Sequence, residues 1–138
     1  MNARLLLYLA TALALIQYCA HAFLFLTAKP THGPDEVAVV DAMRSNRFKI
    51  GLSARSYWDF YFGYGLLVIL TGLVEVVLLC QLGMIAKAYP LLAHPLIAEL
   101  FVFNLAHAVL VWKYFALIAP VTFDIMIASL LGVSYLLL

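Results

Sequence analysis

Residues 63–83, GYGLLVILTGLVEVVLLCQLG, run for 21 positions with one acidic side chain, Glu75, and no basic one. A hydrocarbon layer about 30 Å thick is crossed by about 20 apolar residues in an α-helix, so this stretch reads as a membrane span. Backbone polar groups in oil must be satisfied inside the segment, and a run without strict apolar–polar alternation does this as a helix. A carboxylate in the middle of such a run needs a partner, a proton or a water-filled cavity, which makes Glu75 the first candidate functional residue.

The same pattern recurs outward from this stretch. Spans are expected at about residues 4–28, 57–83, 94–117 and 119–138, with a polar loop at about 29–56. The 138-residue chain is 67% hydrophobic and 11% charged with mean hydropathy +1.06, whereas soluble domains carry roughly 25% charged residues. The expected fold is an all-α integral membrane protein, one domain over 1–138, built as a four-transmembrane-helix bundle. Arg4, the run Leu5 to Ile16 and the triplet Ala20-His21-Ala22 imitate a signal peptide. The apolar run continues through Phe23, Leu24, Phe25 and Leu26, which favours a retained first span. A net charge of +1 without dense Lys/Arg runs excludes a nucleic-acid partner. Nucleophile motifs, phosphate loops and dinucleotide fingerprints are absent.

In the loop, Lys29-Pro30-Thr31-His32-Gly33-Pro34 ends the first helix. Asp35-Glu36 then suit a helix start, and Val37, Val40, Met43 and Phe48 recur at helical spacing, so a short amphipathic interfacial helix is expected between helices 1 and 2. Lys29, Arg44, Arg47, Lys49, Arg55 and Lys113 fall on one side of the membrane, against Arg4 and Lys87 on the other. That bias predicts a cytoplasmic loop with both termini outside, and the membrane expected is a bacterial inner membrane. Aromatic belts at 57–62 and 112–114 fall on the loop side. Asp59 reads as a helix-start carboxylate or a surface ion-pair partner, and Gly63, Gly65 and Gly72 offer small surface for close helix approach.

The other candidates lie within the spans: Gln17 and His21 on the first, Glu99, Asn104 and His107 on the third, and Asp124 on the fourth. Gln17 and His21, four residues apart, share a helix face. Glu99, Asn104 and His107 fit an arc of about 140° at 100° per residue. Depths counted from the span centres suggest two pairs, Glu75 with His107 and His21 with Asp124. No metal or cofactor is expected. The Glu-x-x-His spacing of bundle metal sites is missing, and Glu99 and His107 stand about 12 Å apart along the axis. His32 and His94 read as loop residues. Cys19 and Cys80 fall in opposite leaflets, too far apart for a disulfide.

In layout, with a long polar loop after helix 1 and acidic residues inside the spans, the chain resembles the four-helix membrane proteins of the emopamil-binding and sigma-2 receptor kind. The likeness is architectural and implies no particular site residues. The functional expectation is a lipophilic-ligand-binding protein or small membrane enzyme. Acid–base chemistry would come from His107, Glu75 and Glu99, and Asn104, His21, Asp124 and Gln17 would bind the ligand. The partner is then a membrane lipid or a lipophilic small molecule. The alternative is an accessory subunit of a larger respiratory, photosynthetic or transport complex, or a self-associating protein. A proton or ion pathway ranks third.

Overall fold

The computed structural model describes residues 2–138. Five helices and one hairpin follow in order: α1 Ala3–Thr27, α2 Pro34–Ser45, β1 Arg47–Ile50, β2 Ser53–Ser56, α3 Tyr57–Ile85, α4 Pro90–Phe115 and α5 Ile118–Leu136. The four long helices are each long and apolar enough to cross a membrane. Their outer surfaces are apolar, with Leu70, Val77, Val102 and Val109 all exposed. A face of this extent belongs against lipid or another chain rather than water. Thr11, Thr27, Thr71, Thr122, Ser129 and Ser134 each donate to the carbonyl four residues earlier at 2.6–2.9 Å, so their hydroxyls are satisfied within their own helices.

The chain forms two compact units, one joining the chain up to Cys19 with Gly72–Leu138, the other Ala20–Thr71. In the first, segments of all four long helices close around Leu7, Ala10, Ala14, Tyr18, Leu79, Leu82, Ala86, Ala93, Ile97, Ile127 and Leu131. Ala10 and Ala14 make up half of the α1 side of this core, since no hydrophobic drive pushes helices together in lipid and close van der Waals approach must do it instead. Gly72 serves the same end, since a Cβ there would overlap the Tyr18 ring. Pro90, at the first position of α4, starts that helix without losing a needed donor. Ala116 closes it in the left-handed conformation at φ 52°, its N–H bonded to the carbonyls of Val111 and Trp112, and α5 returns at once. Because α4 begins at Pro90, His94 is helical rather than a loop residue. Its Nε2 lies 3.2 Å from the Tyr135 carbonyl and its ring meets Tyr135 edge-on at 4.8 Å.

The second unit holds the polar loop. Helix α2 forms as expected, but the face it half-buries is Glu36, Val40 and Met43, while Val37 is exposed. Phe48 is not part of that helix. It lies on β1 of a two-residue hairpin, paired with Arg55 on β2. The alternation Arg47-Phe48-Lys49-Ile50 has the period of a strand, and Gly51 supplies φ 57° at the first loop position, the sign a type II′ turn needs. Ser56 and Asp59 then cap α3 reciprocally. The Asp59 N–H donates to Ser56 Oγ at 3.2 Å, and the Ser56 N–H donates to Asp59 Oδ2 at 2.8 Å. Asp59 thus fills both expected roles, because Arg47 also stands 3.8 Å from its carboxylate.

Candidate functional site

Six polar side chains meet inside the first unit, contributed by all four long helices. Glu75 of α3 accepts from the Tyr18 hydroxyl of α1 at 2.7 Å and from Asn104 Nδ2 of α4 at 2.6 Å, one bond to each carboxylate oxygen. The second proton of the Asn104 amide goes to the Leu100 carbonyl at 2.9 Å. Asp124 of α5 is held in the same manner, with Oδ1 accepting from Gln17 Nε2 at 2.8 Å and Oδ2 lying 2.8 Å from His107 Nδ1. Glu75, Asp124, Asn104 and Gln17 are all buried, at 3%, 1%, 1% and 7% of their full exposure. Such groups persist in an apolar interior only when their hydrogen-bonding capacity is met, and four donors on four carboxylate oxygens meet most of it.

Local sequence explains the convergence. Gln17 and Tyr18 are neighbours on α1, about 100° apart, so one faces Asp124 and the other Glu75. Asn104 and His107 sit one turn apart on α4 and serve the same two carboxylates. Gly72 stands one turn before Glu75 on α3, and its missing side chain leaves the space that the Tyr18 ring occupies in reaching that carboxylate.

The expected pairs are therefore corrected. Glu75 meets Asn104 rather than His107, one turn away on the same helix. Asp124 is engaged by Gln17, one turn before the expected His21, and by His107. His21 belongs to the second unit, where its ring stacks on Phe25 at 6.0 Å and 7°. Glu99 is exposed. The arc assigned to Glu99, Asn104 and His107 is too wide for a single inward face, and with Asn104 fully buried Glu99 turns outward. Tyr18 was missed. Its signal was a tyrosine far from either end of a span, where a phenol hydroxyl needs a partner.

Two groups of this network keep unused hydrogen-bonding capacity. His107 keeps 26% of its side chain exposed while Asp124 has 1%. With Nδ1–H directed at the carboxylate, Nε2 is the ring atom left to exchange a proton or accept a hydrogen bond. Phe103, one turn earlier, stacks on the imidazole at 6.1 Å and 16°, giving it an apolar flank. In addition, Gln17 must turn its NH2 toward Asp124, which leaves Gln17 Oε1 as a buried acceptor with no hydrogen-bond partner. Among the described residues no three His, Cys, Asp or Glu side chains gather as a metal set. Comparison with protein-family models, curated proteins and solved structures finds no match for this chain.

Proposed function

We propose that the protein binds the polar head of a lipophilic molecule at the Gln17–Asp124–His107 end of the network, with His107 as the proton-exchanging group. The observation that carries this reading is Asp124 clasped between Gln17 Nε2 and His107 Nδ1, which orients the imidazole and leaves Gln17 Oε1 and His107 Nε2 as acceptors. A hydroxyl head donates to His107 Nε2, on the partly exposed ring. A carbonyl head accepts from the protonated ring, whose charge Asp124 balances. Glu75, with both oxygens engaged by Tyr18 and Asn104, positions helices in this reading and does not itself react.

Native mass spectrometry of gently solubilised protein tests it. The wild type should carry a hydroxyl- or carbonyl-bearing lipophilic species, and His107→Gln should lose it while keeping its unfolding temperature within a few degrees. Wild-type protein free of such a molecule, or a variant that keeps it, would rule the reading out.

Glu99 favours a second reading. It stands about 5 Å from the midpoint of α4, on an outward face shared with the exposed Leu96, Val102 and Phe103. A carboxyl group at that depth costs roughly 2.5–3.5 kcal/mol unless something outside the chain satisfies it. A neighbouring membrane helix bearing a donor does so, which is the accessory-subunit or self-association role.

A further inference from the structure

The hairpin Arg47–Ser56 is joined to α3 without a single intervening residue, since β2 ends at Ser56 and α3 begins at Tyr57. The joint is stiff. Ser56 and Asp59 cap the helix reciprocally, Phe48 packs on Tyr57 at 4.9 Å and on Phe60 at 6.3 Å, and the Arg44 guanidinium lies 4.1 Å over the Trp58 ring. Strands of four residues extend about 13 Å. A hairpin so short, locked to the start of a membrane-crossing helix that carries Tyr57, Trp58 and Tyr61 among its first five residues, is close enough to reach the headgroup layer.

Its chemistry matches that layer. The ten residues from Arg47 to Ser56 contain Arg47, Lys49 and Arg55 and no acid. Asp59 offsets Arg47 at 3.8 Å and also lies within electrostatic reach of Arg55, while among the described residues neither Lys49 nor Arg55 has a carboxylate within 4 Å. The tip is apolar, with Leu52 at 103% of its full exposure and Ile50 at 45%. A fully exposed leucine at the end of a basic hairpin is unfavourable in water but suited to a surface whose outer layer is anionic and whose next layer is hydrocarbon. We propose that this hairpin is a lipid-reading element: Lys49 and Arg55 engage the phosphates of anionic lipids and Leu52 dips beneath them. The site is independent of His107 and of any ligand bound there.

The test uses full-length protein with Cys19 and Cys80 replaced by alanine and Leu52→Cys carrying a nitroxide, reconstituted in nanodiscs. In phosphatidylcholine discs containing phosphatidylglycerol, collisions of the label with a neutral nickel chelate should fall severalfold, and those with oxygen should rise, relative to phosphatidylcholine alone. High salt should reverse the change in the same sample without any substitution at the cations, because screening weakens the headgroup attraction. Adding Lys49→Gln and Arg55→Gln should remove the lipid dependence. Equal nickel accessibility in both lipids, a response that survives high salt, or persistence of the lipid dependence in the charge-removed variant would overturn the proposal. So would reproduction of the change by inorganic phosphate in phosphatidylcholine discs, which would indicate a soluble-anion site.

Discussion

Gly72 and Tyr18 show how one missing methyl group sets a buried carboxylate's partners. An added Cβ at Gly72 overlaps the Tyr18 ring, so Gly72→Ala must push that ring aside and pull its hydroxyl from Glu75. Overpacking of this kind costs about 1–3 kcal/mol, and unfolding in mixed micelles should show a loss of that order. At Gly63 a Cβ meets nothing within 4 Å, so Gly63→Ala should leave stability unchanged or slightly raised in the same assay. The Tyr18–Glu75 bond can be measured by a double-mutant cycle with Tyr18→Phe and Glu75→Gln. A coupling of about 0.6–2 kcal/mol is expected, in the range found for interhelical hydrogen bonds in membranes. A coupling near zero would mean that Asn104 alone holds Glu75.

Elements were legible where they obeyed one long period, and less so where short strands interrupted it. The four spans stand out because hydrophobic runs of this length have one outcome in lipid, and their observed ends lie within about four residues of those expected. The hairpin was hidden because four alternating residues look like the tail of an amphipathic helix until Gly51 is taken as a turn residue. Helix α2 has its own start signal, also readable only in part. Gly33 provides no side-chain cap. Instead Glu36 reaches back, accepting from the Thr31 N–H at 2.6 Å and the His32 N–H at 2.7 Å, with His32 Nδ1 at 3.2 Å. These donors, the His32 N–H foremost, hold the Glu36 carboxyl below the usual glutamate range. A carboxyl depressed by folding contributes stability that is complete above its unfolded value and is lost as pH falls through the folded one. The Thr31 and His32 amide resonances should therefore titrate together in acid, with a midpoint lower than that of an unstructured glutamate, and α2 should fray below it. Glu36→Gln should remove that titration. Amides that shift only at the midpoint of a free glutamate would show that the tie does not form.

At the scale of the whole molecule, depth was legible and neighbourhood was not. Gln17, Glu75, Asn104, His107 and Asp124 were all recognisable as polar residues immersed in apolar runs, and all five converge. Both expected pairs slipped by one helical turn, about 5 Å of depth, which is the error made when the middle of a span is judged from hydropathy alone. Which helices adjoin depends on small-residue packing and on rotation about each axis, and neither leaves a periodic trace. Glu99 is where this limit bears on function. The bundle satisfies its other deep carboxylates internally, yet turns this one outward into an apolar face, so the chain by itself leaves an acid facing oil. If a partner helix or a second copy supplies the missing donor, Glu99→Leu should relieve the burial penalty of the isolated chain while removing the attraction. The expected result in mild detergent is a shift from a larger assembly to the lone chain on size exclusion with light scattering, with thermal stability of the lone chain equal or higher. Wild-type protein that is already a single chain in mild detergent and in native membranes would remove the partner role.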